Sequence, residues 1–176
     1  LGFNFKEEDF HYFKFDQFKR QFLHNELIDL ENQEFLIFHY DEKWEIENYT
    51  KTFKKASNLT DISINLDSFL SFLSQLAVKT KKKIFLSTGA VNTSIIEKIK
   101  EKSVKMNEYL YEINLKGNKA YLFVNEDFFS ISHLISKSSM FISCHGAFTH
   151  IASNYKIKIL DVIEKDKMIH YSKITK

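Results

Sequence analysis

Five short apolar runs, separated by stretches of helical spacing, constrain this chain more than any other feature. They occupy 34–39, 83–88, 120–124, 140–143 and 157–162. Between them, 67–80 carries the clearest helical signal: Phe69, Phe72, Leu73, Leu76 and Ala77 fall at i, i+3, i+4, i+7 and i+8. Asn65 or Asp67 can cap that helix. A second helix starts at Asn92 or Thr93, with Ile95, Ile96 and Ile99 inward. A third runs to about Lys137, capped by Asn125 or Asp127, with Phe128, Ile131, Leu134 and Ile135 apolar; a short fourth covers 147–155. Strands covered on both faces read as unbroken apolar runs, and strands alternating with helices pair in parallel through crossovers. The expected fold class is α/β: a single Rossmann-like domain with a parallel sheet of about five strands and helices on both faces. Residues 1–32 read as a lead-in, with one helical face formed by Phe18, Phe22, Leu23, Leu27 and Leu30, and 33–176 as the domain proper. Residues 46–57 and the last dozen are expected to be helical, and 103–118 fit no single pattern.

Composition narrows the class. A chain of 176 residues suffices for one core but not comfortably for two. Hydrophobic content of 44% and aromatic content of 15% suit a folded domain and exclude a disordered one. Lys+Arg number 25 against 23 Asp+Glu, a balance that argues against a nucleic-acid partner. The one local excess, Lys79, Lys81, Lys82 and Lys83, reads as a helix end followed by a strand start, where cations suit the helix dipole. No apolar run approaches the roughly 18 residues that a membrane-spanning helix needs. The opening LGFNFKEEDF is charged too early for a secretory signal. A lone cysteine precludes an internal disulfide and suits a reducing compartment. The expectation is a cytoplasmic protein without a transmembrane segment, with the inner membrane surface as a second location.

In an open parallel sheet, ligands bind outside the carboxyl ends of the strands. Three turns occupy such ends: His39 to Trp44, Ser87-Thr88-Gly89, and Ser143-Cys144-His145-Gly146. The last stands out, because a glycine precedes a helix near Ala147. Gly146 can adopt backbone conformations closed to other residues, and a helix start presents free N–H groups and a positive dipole end. Such a turn suits an anion such as phosphate. Cys144 beside His145 is not a nucleophile–base pair, since adjacent residues leaving a strand point to opposite faces. Cys144, His145 and His150 match no common zinc spacing and show no fourth ligand.

The text IleSerCysHisGlyAlaPheThrHisIleAla, 142–152, resembles the donor-binding half of GT-B glycosyltransferases, most closely the heptosyltransferase-like family nine. SISHLISKSSMFIS resembles the segment before that turn, FLIFHYDEKW the first strand of the donor domain, and Phe85–Gly89 its second strand with a glycine end. The resemblance covers about residues 34 to 164. It implies a Rossmann-like half of a GT-B fold that binds a nucleotide-sugar without a metal or other cofactor. It also implies an inverting transfer to a saccharide or lipid-linked acceptor, in polysaccharide or lipopolysaccharide assembly. A Lys near a Trp contacts donor phosphate in that family, which assigns Lys43 and Trp44. His150 stands four residues past Gly146 where the family has three, and the family's Pro before the final strand is missing.

In a nucleotide-sugar site, N–H groups of Gly146, Ala147 and Phe148 would hold the diphosphate. His145 or His150 would stabilise charge on the leaving group, and Lys43 would add a point charge. Thr88, Gly89, Glu126 and Asp127 lie at neighbouring strand ends, within reach of ribose, base or sugar, and Ser143 belongs to the turn itself. Each has a plainer reading: His150 bonded within a first turn, His145 on a surface turn, Lys43 solvated, Glu126 and Asp127 as dipole-favoured helix starts, Trp44 packed. In the family, the catalytic base comes from the N-terminal domain. The chain begins with Leu, and the expectation is a C-terminal donor domain whose acceptor-binding partner domain is missing. The competing readings are a non-catalytic α/β partner-binding or regulatory module and, less favoured, a nucleotide-binding hydrolase or epimerase with its own base.

Overall fold

The computed structural model describes residues 34–40, 44–45, 65–89, 91, 93–124, 128–144, 146–155 and 157–163. Within them the five apolar runs become strands β1 (Phe35–Tyr40), β2 (Lys83–Thr88), β5 (Asn118–Phe123), β6 (Met140–Cys144) and β7 (Lys158–Val162). All five pair in parallel, in the order β5-β2-β1-β6-β7. The chain is α/β, as its alternation of runs and helices predicts. The lead-in over 1–32, the helix expected over 46–57 and the C-terminal helix lie outside the described residues.

The four described helices are α1 (Leu66–Thr80), α2 (Ser94–Lys102), α3 (Phe128–Lys137) and α4 (Ala147–Asn154). Asn65 caps α1, its side chain accepting from Ser68 N–H at 2.8 Å, and Thr93 caps α2 through Ile96 N–H at 3.4 Å. Side chains alternate across a strand, so each strand feeds two cores. On one face Leu36, Phe38 and Tyr40 pack with Ile84, Leu86 and Ile142 under Phe69 and Leu73 of α1 and Ile95, Ile96 and Ile99 of α2. On the other, Phe35, Ile37, Phe85 and Phe141 pack under Ile131, Leu134 and Ile135 of α3 and Ala152 of α4. Every residue of β1 is buried, because this strand has neighbours on both edges and helices on both faces.

Residues 103–118, which fit no single pattern, extend the sheet in the opposite sense. β3 (Val104–Lys105) and β4 (Leu110–Leu115) run antiparallel, and β4 pairs with β5 from Leu110↔Phe123 to Leu115↔Asn118. The sheet is thus mixed and seven-stranded. The β4–β5 turn consists of Lys116 (φ 50°) and Gly117 (φ 100°). Two positive φ values in a two-residue loop match the twist of the flanking strands, and Asn-Gly is the usual signal for such a turn. Here Lys fills the first position, which hides the hairpin from inspection.

The lysine cluster gathers at the amino end of the sheet. Lys82 Nζ donates to Ser139 Oγ at 2.8 Å and pairs with Glu34 Oε2 at 3.0 Å. Ser139 donates through both its N–H (2.9 Å) and its hydroxyl (2.7 Å) to the Phe35 carbonyl. These bonds clamp the starts of β2, β1 and β6 together. Lys81 takes the left-handed conformation that ends α1 (φ 55°).

A Cβ at Gly117 would meet no atom within 4 Å, so substitution there tests backbone strain alone. Gly117→Ala should lower stability by about 1–2 kcal/mol in urea denaturation, while Lys116→Asn should raise it slightly. Equal midpoints for all three proteins would contradict this turn.

Candidate functional site

Counted in chain order, the parallel strands lie 3-2-1-4-5, the doubly wound arrangement. The order reverses between β1 and β6, and such sheets open a crevice at the carboxyl ends of the two strands flanking that switch. The last residues of β1 and β6 and the first turn of α4 meet there.

One step from the carboxyl ends, a polar line crosses four strands. Ser87 of β2 is opposite His39 of β1, His39 is opposite Ser143 of β6, and Ser143 is opposite Asp161 of β7. Alternation puts all four side chains on the α3/α4 face, one position beyond the apolar line Phe85, Ile37, Phe141 and Ile159. His39 Nδ1 shares a 2.9 Å hydrogen bond with Ser87 Oγ, and Ser143 Oγ donates to the Cys144 carbonyl. Thr149 Oγ1 donates to Asp161 Oδ1 at 2.9 Å and accepts from Gly146 N–H at 3.3 Å, tying α4 to the end of β7. Buried polar groups are costly unless bonded, and those of this line are bonded. Ser87 and Ser143 are each 1% exposed. Neither can meet a substrate, so the line orients its surroundings and does not supply a nucleophile.

Gly146 caps α4 in extended backbone (φ −174°), a conformation open to any residue. The expectation that the turn needs a glycine for its backbone angles is therefore corrected. Its amide is also committed, to Thr149. The Thr149 N–H in turn donates to the Gly146 carbonyl at 3.0 Å. Of the three amides expected to face an anion, Ala147 and Phe148 remain; among the described residues no acceptor bonds either N–H.

α2, on the opposite face, differs. There Glu45, 5% exposed, fills the helix mouth: Oε2 accepts from Ser94 N–H and Oε1 from Ile95 N–H, both at 2.8 Å. Tyr40 Oη donates to the same carboxylate at 3.3 Å. A negative side chain already occupies the positive end of this helix, so the turn after β2 offers no vacancy for a second anion.

The residues singled out in the sequence separate accordingly. Ser143, Gly146, Ala147 and His150 come together on the β6–α4 connection; Ser143 is buried within the polar line, whereas Ala147 and His150 are exposed on the first turn of α4. Thr88 and Gly89 end β2, one strand beyond β1, where Gly89 N–H donates to the Tyr40 carbonyl at 3.4 Å. Trp44 is packed rather than presented to a ligand. It lies 4% exposed against Phe38 and Tyr40, with Nε1 donating to the His39 carbonyl at 3.1 Å. Lys43, Glu126, Asp127 and His145 lie outside the described residues.

Sequence reasoning assigned no role to His39, Ser87, Thr149, Asp161 or Glu45. His39 and Ser87 carry the one available signal, a polar residue in the penultimate position of an apolar strand. The other three depend on contacts between elements far apart in sequence. Among the described residues, no group of three or more His, Cys, Asp or Glu side chains is placed to hold a metal ion, and no helix is long and apolar enough to cross a membrane. In comparisons with known proteins, no family model, no curated protein and no solved structure matches the chain.

Replacing Glu45 with Ala strands two amides of α2, and should cost about 2–3 kcal/mol of stability in chemical denaturation. Glu45→Gln keeps one acceptor oxygen and should cost less. Equal stability of all three proteins would show that the carboxylate does not hold this helix.

Proposed function

We propose that this chain is the nucleotide-sugar-binding domain of a glycosyltransferase of the GT-B type. The observation that carries the reading is the first turn of α4, where two amides have no acceptor among the described residues, beside the β1/β6 switch of a doubly wound sheet. Phosphate and diphosphate groups favour that environment for two reasons: the amides point outward as donors, and the helix dipole is positive there. The resemblance of 142–152 to the donor half of heptosyltransferase-like enzymes supplies the finer assignment.

In this reading the diphosphate lies on Ala147 and Phe148 N–H. His150, exposed one turn into the same helix, donates to the phosphate oxygens and stabilises the charge that builds as the sugar leaves. Thr88 and Gly89 border the crevice on the β2 side. The buried line Ser87–His39–Ser143, together with the Thr149–Asp161 bond, fixes where the α4 turn sits and touches no substrate. The base that removes the acceptor's proton belongs to the other half of the enzyme. The acceptor is a saccharide or a lipid-linked saccharide.

Calorimetric titration with UDP, ADP, GDP and CMP tests the assignment. One of them should bind with a Kd of about 1 mM or tighter. Ala147→Pro removes one amide at the first helical position, where proline is tolerated. It should weaken that nucleotide by about tenfold while leaving thermal unfolding unchanged. Absence of binding by all four nucleotides would favour a non-catalytic partner-binding module.

A further inference from the structure

Two helices deliver aromatic rings to one spot above the polar line. α3 opens with Phe128 and Phe129, which are 47% and 42% exposed. Phe148, the second residue of α4, stacks on Phe128 with centroids 5.3 Å apart and planes at 28°. Beneath it His39 meets the Phe148 ring edge-on at 4.9 Å and stacks over Phe141 at 6.2 Å. A column of rings therefore rises from the core through Phe141, His39, Phe148 and Phe128, and its outermost ring is half open to solvent.

We propose that the outer face of Phe128 is a stacking platform for the base of the bound nucleotide. This rests on the function proposed above, since the phosphates must lie at the α4 turn. The column and the amides share their origin: Phe148 contributes its N–H to the anion site and its ring to the support of Phe128. A nucleotide with its phosphates on that turn thus has an aromatic surface beside it. Bases stack on aromatic side chains whatever their hydrogen-bonding edge, because each has a π face. Phe128 is braced in advance, by Phe148 on one face and by Phe129 against it at 5.8 Å and 86°. A braced ring loses little rotamer freedom when a base arrives, which favours binding. Among the described residues the one other exposed aromatic, Phe72, lies on α1, across the sheet from this column.

The test compares ADP, UDP and GDP with inorganic pyrophosphate, titrated into the full chain as wild type, Phe128→Ala and Phe128→Trp. Phe128→Ala should weaken the nucleotide that binds by roughly tenfold and leave pyrophosphate unchanged. Phe128→Trp should restore the affinity, with tryptophan emission quenched as the nucleotide is added. Undiminished nucleotide binding by Phe128→Ala would overturn the platform and leave the phosphate site standing. An equal loss for pyrophosphate would overturn it too, marking Phe128 as a support for α4. If the wild type binds pyrophosphate but none of the nucleotides, the platform and the nucleotide-sugar reading fall together and a simple anion site is left; if it binds neither, the anion site falls as well.

Discussion

Parallel pairing on both edges of β1 is the constraint from which the remaining architecture follows. A parallel neighbour can be reached only by a crossover, and right-handed crossovers leaving in the two directions from β1 must cover opposite faces. α1 and α2 therefore pack on one face, and α3 and α4 on the other. With both faces covered, β1 carries the run FLIFHY, entirely buried. A slip of one residue in register would exchange the aromatic set of one core for that of the other. The amino ends of β1, β2 and β6 are pinned by Lys82, Ser139 and Glu34.

The two sides of the crevice are electrostatically unequal. α2 and α4 both begin just beyond the carboxyl end of a strand, and each helix brings its positive end there. At α2 the protein's own Glu45 takes the Ser94 and Ile95 amides; at α4 the Gly146 and Thr149 amides are answered within the turn, while among the described residues no acceptor bonds the Ala147 or Phe148 N–H. One carboxylate thus makes two similar helix starts different. The hydroxyls and imidazole of Ser87, His39 and Ser143 suit this division of labour, since they are spent on holding position.

Much of this was legible in the amino-acid order because it depends on local periodicity. The strands Lys83–Thr88 and Met140–Cys144, the α1 cap at Asn65 and the start of α4 at Ala147 follow from alternation, helical spacing and capping chemistry. The hairpin over Leu110–Phe123 escaped because Lys116-Gly117 lacks the usual turn pair and because β4 reads as irregular beside the five apolar runs. The polar line escaped for a different reason: which residues of β2, β1, β6 and β7 stand side by side depends on sheet order, which no local window contains. The glycine's conformational freedom plays no part at this turn, since the Gly146 backbone is extended and its amide is engaged.

β1 precedes the other described strands in the chain, yet it lies inside the sheet, and its second neighbour, β6, begins only at Met140. During synthesis one edge of this wholly buried strand must wait until nearly all the described residues have emerged from the ribosome. β4 and β5, joined by a two-residue turn, can zip together with far less loop entropy. The order of the strands therefore builds a delay into maturation: the outer hairpin can form early, while the strand that organises the crevice is among the last to be sealed, and until then is the segment most in need of protection from aggregation.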